Sequence, residues 1–385
     1  ARQMSAPVDL DEKHFGTLQQ LWHQQAGLTD VQPPEPPMAG TLAPTEVAVV
    51  DGCVEGLNCM DAGYTQHASL LTDAILESAC PDPTAAGCTV SVTLERALRW
   101  TRDEILGPVE VHNGGLFGTP SDLATAIVTV VERWKTAAAG NKLVINLSLG
   151  WQRKHGNSTT FSAINWSPEV AVHEALRYAR CHGALVLAAA GNRTADDEPD
   201  GMLLPAGWAD QAADTFAVCD AEVVRAPIID ASGALVTDQG GALIYAVSGA
   251  SPEGGTMARA RPLGRANLMA PGTQIATFNQ TFSVENTAIS GSSVATALAS
   301  AAAAMVWAYD PTLSGDEVVG VLHDSGTTTG ETADVTFGSR TSSVRLDFCA
   351  AVLETCTNAT PGAFCPNTSG LSCKALDAGL PVAGT

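Results

Sequence analysis

The sequence has little positive charge. Only 20 Lys and Arg stand against 41 Asp and Glu, which gives the 385 residues a net charge of -21. A polyanion repels a chain this acidic, so we expect no nucleic-acid partner. The sequence also lacks a Cys-x-x-Cys pair, and its histidines do not cluster with its cysteines, so we expect no zinc site.

Long apolar runs are missing as well. The longest candidate is the Ala-rich stretch after Ser293, which is short for a membrane span, so we expect no membrane partner. The chain starts at Ala1 without a charged-then-apolar leader, as expected for a protein whose signal peptide has been removed.

Ten cysteines are present, many of them close together in the chain. This usage is typical of disulfides and an oxidising compartment. We therefore predict a soluble, monomeric protein that is secreted to the outside of the cell or to a periplasm. The short-range pairs are Cys53/Cys59, Cys80/Cys88 and Cys365/Cys373.

The two ends of the chain differ in composition from its middle. Residues 1–45 are polar and Gln-rich and close with the stiff spacer Pro33-Pro-Glu-Pro-Pro37, so we predict an N-terminal extension lying on the surface. Residues 355–385 are rich in Cys and Gly with little periodicity, which predicts a disulfide-pinned C-terminal extension. Residues 46–354 then form one folded domain.

Within that domain, apolar runs that end in Gly or an acidic residue alternate with amphipathic helices. This order predicts right-handed crossovers and an α/β fold of three layers, with a mostly parallel central sheet and helices on both faces. The predicted elements are strands at 46–51, 90–94, 142–150, 183–192, 214–219 and 268–271, helices at 67–76, 121–139, 168–182, 293–307 and 314–324, and hairpin-like pieces at 228–250.

Ser293 follows a glycine turn and opens the Ala-rich helix. Unpaired N–H groups and the positive end of the helix dipole meet there, which suits a nucleophile that produces an oxyanion. Taken alone, Gly291-Ser292-Ser293 is more typical of a polar turn that caps a core helix.

Three further residues are expected at the same edge of the sheet. Asp51 ends the first strand, His67 begins the helix after it, and Asn192 ends the strand at 183–192. A hydroxyl needs a base to attack a carbonyl, and the base needs a carboxylate to hold its tautomer. The Asn192 amide and the backbone N–H of Ser293 would then stabilise the oxyanion.

Six blocks of the sequence, in this order, resemble the motif set of the subtilisin-like serine proteases, the subtilases. The resemblance covers about residues 45–352, with departures at Ser292 and Val294, which flank the serine, and at Ala297, near the position of the family's proline. The blocks are Val-Ala-Val-Val-Asp51-Gly, Gly63-Tyr-Thr-Gln-His67, Ile145-Asn-Leu-Ser-Leu-Gly150, Ala188-Ala-Ala-Gly-Asn192, Met269-Ala-Pro-Gly272 and Ser290-Gly-Ser-Ser293-Val-Ala.

The resemblance implies a serine endopeptidase that acts on extended protein or peptide substrates and requires no cofactor. Ser293 would be the nucleophile, His67 the general base and then acid, and Asp51 the residue that orients His67, with Asn192 an oxyanion donor. The resemblance also implies two substrate-binding segments, formed by Ser148, Leu149 and Gly150 and by Ala189, Ala190 and Gly191.

Two alternatives to this function remain open at the sequence level. A catalytically silent binding module could keep the same fold, and the altered residues around Ser293 favour it. The acid-active sedolisin relatives need a Glu as base, and the helix after the strand of Asp51 offers none in the right place.

Arg193 and the acidic residues after it support two smaller hypotheses. Arg193 would lie at the mouth of the primary specificity pocket and favour an acidic substrate residue, unless its acidic neighbours neutralise it. The same acids could hold a structural Ca²⁺, which the family often uses, or form a solvated loop. They are Asp196, Asp197, Glu198 and Asp200.

Overall fold

An eight-stranded sheet forms the centre of the fold in the computed structural model. The structure describes residues 8–9, 12–28, 45–52, 67–80, 90–98, 100–101, 116–136, 141–152, 167–193, 199–214, 219, 241–277, 287–337 and 339–358. Its strands are β1 (Val8–Asp9), β2 (Thr45–Gly52), β3 (Val90–Leu98), β4 (Trp100–Thr101), β5 (Leu116–Phe117), β6 (Lys142–Leu147), β7 (Leu185–Ala189), β8 (Tyr245–Ala250), β9 (Leu268–Pro271), β10 (Ile275–Thr277), β11 (Thr287–Ile289), β12 (Thr327–Phe337) and β13 (Arg340–Arg345).

The large sheet has the strand order β12-β13-β9-β8-β7-β6-β2-β3. Every neighbouring pair from β13 to β3 is parallel, and β12 pairs antiparallel with β13 at one edge. Strands β1, β11 and β10 form a small antiparallel sheet, and β4 pairs with β5. The predicted mostly parallel α/β sheet is confirmed.

Seven helices of the described chain cover the sheet. The clearest start signal belongs to the helix at Pro120, where Thr119 and Asp122 form a capping box ahead of the proline. The helices are α1 (Glu12–Ala26), α2 (His67–Ala79), α3 (Pro120–Lys135), α4 (Ser167–Cys181), α5 (Ser292–Tyr309), α6 (Gly315–Asp324) and α7 (Phe348–Thr357).

Two separate apolar layers lie on the two faces of the sheet. In β2, Val47 and Val49 join the layer under α2 and α5, whereas Ala48 and Val50 join the layer under α3 and α4. Successive side chains of a strand point to opposite faces, so an apolar run with no polar alternation must be buried on both sides. The predicted three-layer arrangement is therefore confirmed.

Helix α5 is the core of the first layer. All 18 of its residues are buried, and it packs against α2, α7 and the central strands. By length and composition it could cross a membrane, but its whole surface is buried inside the fold. An Ala-rich sequence suits this place because small side chains let a helix lie close to its neighbours.

Part of the N-terminal segment belongs to this core. Trp22 of α1 is 1% exposed, and its Nε1 donates a hydrogen bond to the carbonyl oxygen of Ala276, 2.7 Å away. The expectation that the segment lies on the surface is therefore wrong for the end of α1, because burying the indole ties the helix to the domain. The predicted boundaries at residues 45 and 354 stay predictions, although α7 continues to Thr357.

One predicted element is wrong. The hairpin-like pieces at 228–250 include Tyr245–Ala250, which is a fully buried parallel strand in the middle of the sheet. The Gly-rich sequence before it suggested turns. Residues 228–240 of these pieces, most of the strand predicted at 214–219 and residues 359–385 of the Cys-rich tail lie outside the described residues.

The cysteines of the described chain are all in disulfides. Cys181 at the end of α4 is bonded to Cys219, 38 residues later. Cys80, Cys349 and Cys356 are disulfide-bonded as well. These bonds agree with the predicted oxidising compartment, while the short-range pairings stay predictions.

Lys142 at the start of β6 is a charged residue held in an apolar setting. Its Nζ lies 5.4 Å from the centroid of the Trp307 ring and 3.4 Å from the carbonyl oxygen of Leu313. Burial lowers the pKa of Lys142 from its ordinary 10.5 to about 8, against the attraction of Asp310 and Glu317. Charging this amine therefore costs more in the folded protein than in the unfolded chain.

We expect the stability of the protein to rise with pH because of Lys142. Between pH 8 and 10.5 the unfolded chain binds one more proton than the folded protein at this site, so the free energy of unfolding increases by about 2 to 3 kcal/mol. Urea unfolding of the wild type and of Lys142→Met at several pH values isolates the effect as a difference. Lys135→Met is the control, because the pKa of Lys135 is raised by its bonds to Tyr178 and Glu132. Parallel curves for the wild type and Lys142→Met would contradict the prediction.

Candidate active site

Asp51 and His67 form a buried pair at the C-terminal end of β2. His67 Nδ1 lies 2.8 Å from Asp51 Oδ2, and the two residues are 7% and 3% exposed. The backbone N–H of Gly52 donates to the other carboxylate oxygen, Oδ1, at 2.6 Å. A carboxylate only accepts hydrogen bonds, so Nδ1 carries a hydrogen, and in the neutral imidazole Nε2 then carries the lone pair. A general base needs this tautomer.

Ser293 is the second residue of α5, and its hydroxyl faces the end of β6. Its Oγ donates to the carbonyl oxygen of Ser148 at 3.1 Å. Ser148 Oγ in turn lies 2.8 Å from the carbonyl oxygen of Ser293 and 2.8 Å from Asn146 Oδ1. Asn146 Nδ2 donates a hydrogen bond of 3.1 Å to Ser300 Oγ. Hydrogen bonds therefore link the N-terminal half of α5 to the end of β6.

The helices of His67 and Ser293 pack against each other on one face of the sheet. His67 is the first residue of α2, so both side chains belong to first helical turns above the C-terminal ends of the parallel strands. Among the described residues no hydrogen bond joins the two, because the serine hydroxyl is bonded to Ser148. The structure thus brings Asp51 and His67 into contact and leaves Ser293 with a different partner.

Asn192 is fixed to the turn that precedes Ser293. Its Oδ1 accepts a hydrogen bond of 2.8 Å from the backbone N–H of Ser292, and the N–H of Gly191 donates to Ser292 Oγ at 3.1 Å. Gly291 has φ +150°, and a methyl group added there would lie 2.6 Å from Asn192 Nδ2. Only glycine allows this close approach. No described residue accepts a hydrogen bond from Nδ2, so this N–H₂ can serve a ligand.

Two short segments lie at the C-terminal ends of the neighbouring strands β6 and β7. We call residues 148–150, which follow Leu147, the first wall. We call residues 189–191, which follow Ala188, the second wall; Leu147 and Ala188 are paired in the sheet. Both walls are buried. They flank Ser293, because the first wall supplies the acceptor for its hydroxyl and the second wall leads into Asn192.

A small apolar recess of about 40 Å³ lies beside the first wall. It lies at the junction of β3, the start of α3 and the end of β6, so it is open towards the same edge of the sheet as Ser293. Its lining residues are Leu98, Gly118, Thr119, Pro120, Leu123, Leu149 and Trp151.

Arg193 directly follows Asn192 and is partly buried. Its backbone N–H donates to the carbonyl oxygen of Arg259 at 2.8 Å. Asp196, Asp197 and Glu198 lie outside the described residues, and Asp200 is exposed. No group of three or more potential metal-binding side chains occurs in the described part of the chain. The hypothesis that Arg193 favours an acidic substrate residue and the hypothesis of a structural Ca²⁺ both stay predictions.

The three other buried histidines of the described chain have other partners, and His323 of α6 has its Nδ1 3.0 Å from Asp324 Oδ1. His173 Nε2 lies 2.8 Å from Gln211 Oε1, and His182 Nδ1 lies 2.9 Å from the carbonyl oxygen of Tyr178. Both belong to α4 or its end, in the helix layer away from α2 and α5. Glu169, the buried acid of α4, accepts from Trp151 Nε1 at 3.1 Å. His67 is thus the described histidine that is paired with Asp51.

Comparison with known structures supports the fold. The protease domain of PatA, in a mutant form, is 16% identical over 84% of this chain and 100% of its own length, with a TM-score of 0.50. The A-subunit of the AB5 toxin from E. coli is 16% identical over 87% of this chain and 99% of its own, with a TM-score of 0.52. Sphericase is 17% identical over 85% of this chain and 97% of its own length, with a TM-score of 0.51.

The sequence comparisons give a family but no individual relative. No curated protein matches the chain. The subtilase family model matches residues 105–339, which include Asn192 and Ser293 and begin after Asp51 and His67. A match over more than half of the chain, together with the parallel sheet and the buried Asp51–His67 pair, shows that the protein belongs to the subtilase family.

Proposed function

We propose that the protein is a secreted serine endopeptidase. The observation that carries the proposal is the 2.8 Å bond between buried Asp51 and His67, at the sheet edge where Ser293 lies in the first turn of α5. A buried carboxylate on one imidazole nitrogen leaves the other nitrogen as a base, and a helix start holds the hydroxyl nearby. Membership of a protease family and the disulfides agree with this function and with export.

Acyl transfer would begin with a rotation of Ser293. Its Oγ leaves the carbonyl oxygen of Ser148, attacks the substrate carbonyl carbon and gives its proton to His67 Nε2. Asp51 stabilises the imidazolium that forms. Nε2 then protonates the leaving amine as the C–N bond breaks. In the second half, Nε2 takes a proton from the water molecule that attacks the acyl carbon and gives it to Ser293 Oγ as the ester bond breaks, which releases the carboxylic acid product.

Two hydrogen-bond donors would stabilise the negative charge that develops on the substrate oxygen. Asn192 Nδ2 is one, because the bond from Ser292 to its Oδ1 fixes the orientation of the amide. The backbone N–H of Ser293, in the first turn of α5, is the other. Both are positioned before substrate binds, so little reorganisation is needed as the charge develops.

The substrate would be an extended stretch of protein or peptide. Its backbone would pair with the first wall as an added strand, and one apolar side chain would lie against the recess beside Leu149. The net charge of -21 disfavours nucleic acid as substrate. We propose that the enzyme acts as a monomer and needs no cofactor for the reaction.

Labelling with a fluorophosphonate tests the proposed nucleophile. We expect covalent labelling of the folded wild type and none of Ser293→Ala, together with hydrolysis of unfolded protein substrates by the wild type alone. Ser292→Ala is the matched control, because it removes the neighbouring hydroxyl and should keep the label. If the folded wild type is neither labelled nor active on peptides, the proposal is wrong.

One observation favours a second candidate, a binding module without catalysis. The hydroxyl of Ser293 is bonded to Ser148 and not to His67. Catalytic hydrogen bonds in structures without substrate are often absent and form in the complex, so this observation weighs less than the Asp51–His67 pair. The same labelling experiment separates the two candidates.

Removal of the oxyanion donor should lower turnover strongly. Asn192→Ala is expected to reduce kcat by about 100- to 1,000-fold with little change in KM, the loss that follows removal of a side-chain oxyanion donor from subtilisin. Asn192→Asp keeps an acceptor for Ser292 but has no Nδ2, so it should lose at least as much. Steady-state kinetics on a chromogenic peptide measures both. A folded Asn192→Ala protein with a loss below tenfold would exclude this role.

A further inference from the structure

Leu203 fills the gap between the two walls. A methyl group added at Gly191 would lie 2.6 Å from Leu203 Cγ and 2.8 Å from its Cδ1. One added at Gly150 would lie 2.9 Å from Leu203 Cβ and 3.3 Å from the same Cδ1. One methyl group of Leu203 therefore reaches both walls. The residue is 7% exposed, so this space is already occupied.

The backbone around Leu203 is tied to both walls. Leu203 N donates to the carbonyl oxygen of Ala190, in the second wall, at 3.0 Å. Leu204 and Trp151, the residue after the first wall, exchange two backbone hydrogen bonds of 2.9 Å. The chain at 203–204 thus crosses from one wall to the other and forms the floor between them.

A buried arginine holds this floor in place. Arg261 is 5% exposed and donates from Nε to the carbonyl oxygen of Gly201 at 2.6 Å, and its guanidinium also contacts the carbonyl oxygen of Pro199. The N–H of Gly201 donates back to Pro262 at 2.7 Å. Moving the backbone at Leu203 away from the walls would break several of these hydrogen bonds, so the residue is held at the gap.

From this geometry we infer that Leu203 determines substrate specificity and restricts the residue whose carbonyl is attacked to a small side chain, that of Gly, Ala or Ser. The inference rests on the proposed function. The carbonyl must reach Ser293 Oγ and Asn192 Nδ2, which lie where the two walls end, so the side chain next to it points into the gap. A larger side chain would overlap Leu203, and a packed site resists added volume.

This inference competes with the expectation that Arg193 favours an acidic substrate residue. Leu203 lies within the gap, whereas Arg193 follows the second wall at its mouth. A glutamate side chain is about as long as that of methionine and would meet Leu203 before its carboxylate could be paired. Glutamate should therefore be cleaved no better than leucine.

Peptidyl p-nitroanilides of sequence Ala-Ala-Pro-X, with X being Ala, Leu, Phe or Glu, test the inference on the full chain. We expect the wild type to have a kcat/KM about 100-fold higher for Ala than for Leu or Phe. Leu203→Ala should reduce this ratio at least about tenfold, and Leu203→Val, the milder change, should move it in the same direction. Leu176→Ala makes the same truncation in α4, in the second apolar layer and outside both walls, and should leave the ratio unchanged.

The possible outcomes separate this inference from the proposed function. A wild type that cleaves after Phe or Leu as well as after Ala overturns the role of Leu203 and leaves the peptidase activity standing. An unchanged ratio in folded Leu203→Ala and Leu203→Val also overturns it. A preference for Glu over Leu assigns the pocket to Arg193 instead. A wild type that takes up no fluorophosphonate and cleaves none of the four peptides overturns both proposals.

Discussion

Replacing His67 by alanine is expected to lower kcat by about 10⁶-fold with KM little changed. This is the loss known for the histidine of subtilisin, and the geometry here gives the reason for expecting it. His67 is the described histidine that pairs with Asp51, and α2 presents it beside the start of α5. Without it, no described side chain holds a neutral base at this edge, so Ser293 would attack as an unactivated hydroxyl. Hydrolysis of a chromogenic peptide measures the change.

Two further variants show that the loss comes from catalysis. Combining His67→Ala with Ser293→Ala should cost almost nothing more, because residues that act as one unit are not additive. His173→Ala removes another buried imidazole, in the opposite helix layer, and should keep kcat within a few fold. If the folded His67→Ala protein retains more than about 1% of the wild-type kcat, another base is at work.

The sequence predicted strands β2, β6 and β7 well, for a physical reason. Strands buried on both faces have apolar runs that need no alternation, and β2, β6 and β7 all have such runs with a turn residue after them. The edge strand β12 was missed, because the sequence Thr-Thr-Thr-Gly-Glu-Thr is polar and mostly exposed. The sequence of β12 has no strand pattern of its own, and the segment is a strand because it pairs with β13.

The three-residue strands β10 and β11 were also missed, since runs of three carry no period. The burial of Trp22 could not be inferred from α1 alone. The helix is polar along most of its length, and the acceptor of the indole N–H lies 254 residues away in the chain. Contacts of this kind are set by tertiary packing, for which a single sequence gives no local signal.

The candidate site also contains residues that the sequence predicts and contacts that only the structure shows. Asp51, His67, Asn192 and Ser293 could be proposed together because each stands at a strand end or a helix start, and parallel strands bring such positions to one edge. The bond between Ser293 and Ser148 joins residues 145 positions apart and follows from a side-chain rotamer. Leu203 had no motif around it that pointed to the gap between the walls, and only the close contacts with Gly150 and Gly191 identified it.

Asp51→Asn should lower kcat by about 10⁴-fold at neutral pH, through the imidazole tautomer. In the wild type, the Asp51 carboxylate accepts two hydrogen bonds, from Gly52 N on Oδ1 and from His67 Nδ1 on Oδ2. Asparagine has one oxygen and one N–H₂ group in their place, so it can accept only one of the two. Keeping the oxygen on Gly52 turns the N–H₂ towards Nδ1, which must then accept, and the ring hydrogen moves to Nε2.

In that tautomer Nε2 cannot take the proton of Ser293, so acylation slows while the backbone geometry is kept. Fluorophosphonate labelling should therefore slow in parallel with peptide hydrolysis. Asp73→Asn is a matched control, because Asp73 is a buried carboxylate of the same helix as His67 and is 3% exposed. Its kcat should stay within a few fold of the wild type. A kcat above one tenth of the wild-type value in folded Asp51→Asn would show that the carboxylate does not govern the tautomer, and His67 would then need another explanation as a base.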